Sequence, residues 1–142
     1  MKKFRTKLVL MSSLLMLSLS SYADSYLCSY TARISDADKH NSKGAAMAKN
    51  YSHSTVASIL RQDRANFYVF NKQDSEDESD CIFHSKTARA NMQKSISLGS
   101  IPQHAKQTIV DDNPLIFVDV YSTHLDIKII ESDYKPARST IR

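Results

Sequence analysis

Asp36, Asp38 and His40 stand at alternate positions of Asp36-Ala37-Asp38-Lys39-His40-Asn41, the densest set of ligating and proton-transferring side chains in any loop of this chain. Two carboxylates beside an imidazole can hold a divalent cation or divide the work of a general acid and a general base. The opening D-x-D resembles a calcium loop, but such a loop needs glycine at its sixth position and glutamate at its twelfth. Here those positions are Asn41 and Met47, so the EF-hand reading fails. What stays open is a divalent site or an Asp/His acid–base pair, or a solvated loop whose Asp and Asn side chains cap the next helix. No metal centre is assigned.

Asp63 breaks its local pattern. With residues 55–67 helical, a step of about 100° per residue puts Val56, Leu60 and Phe67 on one stripe, with Asp63 near its middle. A carboxylate there must be paired or raise its pKa, and Arg33, Arg61 or Arg64 can serve as partner. It is either a buried ion pair or a functional carboxylate beside a histidine that folding brings near. Arg61 and Arg64, one turn apart, can together hold an anion or pair with acidic neighbours.

A third cluster, Asp74, Glu76, Asp77, Glu78 and Asp80, places five carboxylates in one loop. Such a run can bind calcium, dock on a basic partner or serve as a solvated connection. Its attachment at Cys81 restrains it, which favours recognition. Cys28 and Cys81 are the only cysteines. In an oxidising compartment they should pair, closing a loop worth about 4 kcal/mol at most in the chain-entropy model.

Absences narrow the chemistry further. Gly44 and Gly99 are the only glycines, so there is no P-loop, no G-x-G-x-x-G and no G-x-S-x-G elbow. The five histidines form no H-E-x-x-H pair of zinc ligands. The chain lacks Trp, on which stacked sugar recognition leans. No cofactor is implied.

The elements that must position these residues read as follows. Alternation over Ser25 to Ser35 predicts a strand with Tyr26, Cys28, Tyr30, Ala32 and Ile34 facing the core. A loop over Asp36 to Lys43 and a short helix around Ala45-Ala46-Met47-Ala48 follow. Next comes a helix over Thr55 to Asn66 with Ser52 or Ser54 as N-cap. Phe67 to Phe70 and Cys81 to Phe83 are read as short strands. Ser85 caps a helix over Lys86 to Leu98 that ends at Gly99, with Pro102 preventing continuation. Thr108 to Val110, Leu115 to Tyr121 and Leu125 to Glu131 complete the strands, divided by Asp111-Asp112-Asn113-Pro114 and Ser122-Thr123-His124. Strand, helices and then a meander predict an α+β, two-layer fold. Its antiparallel sheet should have about four to five strands, with two to three helices on one face and one disulfide.

At the start, Lys2, Lys3, Arg5 and Lys7 precede an apolar run from Leu8 to Leu19, followed by Ser21-Tyr22-Ala23. This is the pattern of a secretory signal peptide cleaved after Ala23, its core being shorter than the roughly 20 residues that span a bilayer. Residues 1–23 are thus expected as a leader, 24–131 as one domain and 132–142 as a polar tail. Leu27 before Cys28 does not fit a lipobox, which takes a small residue there, so no stable membrane anchor follows cleavage. Of 19 Lys plus Arg in the chain, the leader carries four, leaving 15 against 15 Asp plus Glu. A domain without net charge has no general pull on nucleic acid or anionic lipid.

By elimination, the sequence predicts a small periplasmic or secreted binding protein: an inhibitor, immunity-type or accessory module acting on another extracytoplasmic protein. Asp74, Glu76, Asp77, Glu78, Asp80, Arg61 and Arg64 are its binding candidates. The alternative is a small extracytoplasmic hydrolase with Asp63, Asp36, Asp38 and His40 as catalytic candidates. A concave pocket holding Asp63 beside a histidine would favour the enzyme, and a flat exposed patch would favour the binder.

Overall fold

The structure, a computed structural model, describes residues 23–132. The leader, apart from Ala23, and the tail beyond Ser132 lie outside the described residues. Strands β1 (Tyr26–Arg33), β2 (Leu115–Tyr121) and β3 (Leu125–Glu131) form an antiparallel sheet in the order β1-β2-β3. Between β1 and β2 run α1 (His53–Tyr68), α2 (Lys86–Ala90), α3 (Met92–Leu98) and α4 (Gln103–Asp111). The fold is α+β, with Cys28 and Cys81 joined in a disulfide across a Cα–Cα distance of 6.2 Å. Among the described residues, no helix is long and apolar enough to cross a membrane.

Alternation decides the sheet's two faces. Tyr30, Ala32 and Ile34 from the β1 segment, Ile116, Val118 and Val120 from β2, and Leu125 and Ile127 from β3 are fully or almost fully buried. They meet Val56, Ile59 and Leu60 of α1, Met92 and Ile96 of α3 and Ile109 of α4 in one core. Tyr26 leaves the expected pattern, at 56% exposed. The register slips between Tyr26 and Cys28, and such a slip reverses which face a side chain takes.

Among the described residues the sheet has three strands, not four to five, because three short β-prone segments take other forms. Phe67 and Tyr68 extend α1, where the Phe67 ring covers Arg64 and the Tyr68 hydroxyl bonds Asp80; tertiary contacts override aromatic strand preference. Cys81 to Phe83 is a turn, since Asp80 Oδ1 accepts from the amides of Ile82 and Phe83. Thr108 to Val110 lies in α4, whose Ala105, Thr108 and Ile109 bury one helical face.

The helices also differ in detail. Asp36–Lys39 forms a 3-10 turn. Ala45 to Ala48 is extended instead of helical, with Ala46 bridged to His40. Asn41 Oδ1 accepts from the amides of Lys43 and Ala45 around Gly44, whose φ is +79°. That tight reversal outcompetes a helix too short to nucleate. Ser52 and Ser85 do cap their helices, accepting from the amides of Thr55 and Ala88. The predicted Lys86 to Leu98 helix divides at Asn91, where ψ is 0°. Gly99 ends α3 in extended backbone, not in the left-handed form. Its glycine serves close approach: a Cβ there would stand 1.8 Å from the Leu125 carbonyl oxygen.

Candidate functional site

The Asp36, Asp38 and His40 set does not converge. Asp38 is 2% exposed and turned inward, accepting from the Ser35 amide at 2.8 Å, the Ser35 hydroxyl at 3.0 Å and Asn66 Nδ2 at 2.8 Å. Burial raises its pKa against those donors. Asp36 and His40 are exposed, and His40 Nδ1 lies 2.9 Å from the Asp36 carbonyl. Among the described residues, no three His, Cys, Asp or Glu side chains are grouped to hold a metal.

Asp63 is buried on α1 as its stripe position requires. Its partner is its neighbour Arg64, whose Nε donates to Asp63 Oδ2 at 2.7 Å. The guanidinium lies between the rings of Tyr30 and Phe67, 4.5 and 4.8 Å from their centroids. Its Nη1 donates to the Glu78 carbonyl at 2.8 Å and reaches Asp80 Oδ2 at 3.4 Å. One guanidinium therefore faces two buried carboxyls. Burial pushes the Asp63 carboxyl up, to about 8, against the attraction of Arg64. Neither Asp63 nor Asp38 lines the grooves bordered by α1.

The acidic loop turns back onto the outer edge of β1. The Glu78 amide donates to the Thr31 carbonyl at 3.0 Å. In return, the Thr31 amide donates to Glu78 Oε2 and the Arg33 amide to Asp77 Oδ1, each at 2.8 Å. Side-chain carboxylates thus stand where a fourth strand would put carbonyls, and they close an edge that would otherwise be free to pair. Glu76 binds Arg33 at 2.9 Å. Asp80 accepts from Tyr68, Ile82 and Phe83 as well as Arg64. The Asp74 amide donates to Asp77 Oδ2.

A cluster that sequence reasoning missed joins Asp24, just before β1, to the β2–β3 turn. His124 stacks on Tyr121 at 4.4 Å, with Nδ1 2.8 Å from Asp24 and Nε2 3.6 Å from Asp126. Ser122 and Thr123 hydroxyls both donate to Asp24 Oδ1. Desolvation works to raise the Asp24 pKa, but these hydrogen bonds and His124 together hold it low. Thr123 Oγ1 also lies 3.2 Å from His124 Nδ1, but the same hydroxyl donates to Asp24 at the shorter distance of 2.8 Å, so its proton is directed at the carboxylate and not at the imidazole. The cluster fastens Asp24 to the β2–β3 turn.

A broad concave surface lies along the exposed side of α1. Arg61, Ala65 and Val69 form one stripe at four-residue spacing, and Gln62, Asn66 and Phe70 form the next. The first stripe and α2, through Lys86 and Arg89, border an open groove of about 520 Å³. The second stripe, with His40, Ser42 and Lys72, borders one of about 340 Å³. Phe70 belongs to both. Val69 and Phe70 are 56% and 48% exposed, large apolar groups with no cover. Asn71 sets their direction: at φ 52° it ends α1 in the left-handed form, and the Lys72 amide bonds the Asn66 carbonyl. Arg61 is exposed here while Arg64 is buried, so the two do not act as one anion clamp. The signal in the sequence was the apolar pair Val69-Phe70 lying off the buried stripe of α1. No family model, curated protein or solved structure matches the chain.

Proposed function

We propose that this chain is a small extracytoplasmic binding protein of the inhibitor, immunity or accessory kind, working by contact with another protein. The observation that carries this reading is the uncovered pair Val69 and Phe70 over the α1–α2 groove. Uncovered apolar surface joined to a concave, polar-rimmed region is the anatomy of a protein contact. The disulfide supports an oxidising compartment, in keeping with the signal-like start. The hydrolase reading is supported less, since two of its four candidates, Asp38 and Asp63, are buried and bonded and neither lines the groove that His40 borders.

The test is cross-linking in the exporting cell. A photoreactive side chain at Phe70 should give one discrete polypeptide adduct, and the same group at Lys128, on the sheet's opposite face, should give none. No adduct from position 70, or the same adducts from both positions, would overturn the reading.

A further inference from the structure

We infer that the α1–α2 groove seats an acidic polypeptide segment of another protein, one that carries a large apolar side chain among its carboxylates. The inference rests on the binding-protein reading above and adds the chemistry of the partner. Charge is its first support. Among the described residues, Arg61, Lys72 and Lys86 meet no carboxylate at ion-pairing distance, as is also true of the exposed Lys43, Lys49 and Lys94, while Arg33 and Lys128 are paired; what sets this face apart is its lining. No Asp or Glu lines either groove beside Phe70. In a domain expected to carry equal numbers of acidic and basic groups, this face is basic because its carboxylates lie elsewhere, bonded to β1 and Arg64.

The apolar component sets the second requirement. Val69 and Phe70 stand between Arg61 and Lys86 on one side and Lys72 on the other. A ligand that only neutralised charge would leave them wet. An aliphatic or aromatic side chain laid against them supplies a desolvated centre, and the cations form a rim that steers approach and selects sign. The groove is open instead of enclosed, which suits a chain segment crossing it. Gln62 and Ser42 add uncharged groups able to donate to carboxylate or peptide oxygens.

Two other occupants fit less well. A second copy would have to offer its acidic loop, but Glu76, Asp77, Glu78 and Asp80 are already bonded within their own chain. An anionic bilayer calls for a cluster of about four to eight cations within its reach; this face exposes three, Arg61, Lys72 and Lys86, its fourth, Arg89, being buried and bonded to the Phe83 and His84 carbonyls.

The experiment titrates the exported, oxidised protein with defined probes, reading backbone amide shifts. The first probe is a synthetic peptide of Glu and Asp with one central Leu. It should move amides of residues 61–72 and 86–90 saturably, and less so as salt rises. Replacing its acids by Lys, or its Leu by Ser, should weaken binding at least about tenfold, a loss equivalent to about 1.4 kcal/mol. R61E/K86E should do the same with its melting temperature unchanged, and Val69→Ser serves as a second variant for the apolar contact.

The inference falls if the Lys peptide binds as well, if the shifts lie on another face, or if R61E/K86E binds normally. It also falls if phosphatidylglycerol vesicles bind where the peptide does not, or if the same amides shift with protein concentration alone, which would make a second copy the occupant. A cross-link from position 70 to a segment without carboxylates would sink this inference alone. The absence of any cross-link would sink the underlying reading.

Discussion

The guanidinium of Arg64 lies 4.5 Å from the centroid of the Tyr30 ring, with both residues at 0% exposure. A permanent charge is thus carried at the centre of the core, held by an aromatic face above and another below. Its balance comes from Asp63 and Asp80, one more carboxyl than it can neutralise. The raised pKa of Asp63 resolves this arithmetic, because one proton on Asp63 leaves Arg64 paired with Asp80 alone.

Asp63→Ala should cost about 3 kcal/mol, the upper end for stranding a buried donor, because Arg64 Nε loses its acceptor where no solvent reaches while its pairing with Asp80 remains. Asp63→Asn keeps an acceptor and should cost far less. A denaturation curve at neutral pH separates the two, and an Ala variant as stable as wild type would instead assign Asp63 a role other than structural.

The same group predicts a pH slope. A carboxyl raised to about 8 in the folded protein binds more protons folded than unfolded between its ordinary value and 8. Stability from this site is therefore fully present below that interval and is lost as pH rises through it. Denaturation midpoints from pH 5 to pH 9 should fall in wild type relative to Asp63→Asn. Parallel curves for the two proteins would refute the assignment.

Tyr30→Phe should be neutral within about 0.5 kcal/mol, or stabilising. The Tyr30 hydroxyl is buried with no hydrogen-bond partner, so removing it relieves a desolvated polar atom and keeps the ring against Arg64 and Phe83. A large drop in melting temperature would show that the hydroxyl is bonded.

Gly99→Ala should destabilise by about 3 kcal/mol or more. The added methyl meets the Leu125 carbonyl oxygen at 1.8 Å, and backbone on both sides cannot rotate away as a side chain can. Thermal unfolding of the variant is the measurement, with Gly44→Ala as a contrast that meets no neighbour and pays only for its positive φ.

Glu78→Ala with Asp77→Ala should open the edge of β1. Hydrogen exchange at the Thr31 and Arg33 amides, which now donate to those carboxylates, should accelerate while amides paired to β2 stay protected. Equal exchange in the variant and wild type would show that the loop does not close the edge.

β1, α1, β2 and β3 were all legible in the sequence, since period-two and helical patterns plus serine caps are local properties. So was the Cys28–Cys81 pair, because two lone cysteines in a chain expected to be exported have few alternatives. The buried place of Asp63 followed from its stripe, and Arg64 was among its three candidate partners. The tertiary structure decided which one. It also turned Asp38 away from His40 and spent the acidic loop on β1's amides. Phe67 joined a helix because Arg64 needed a ring beneath it. Each of these depends on groups distant in sequence meeting in a low-dielectric interior, where a carboxylate's nearest donor outweighs local preference. The uncovered Val69 and Phe70 belong to the same class. Local pattern marks them as apolar, and only the packing of everything else leaves them outside.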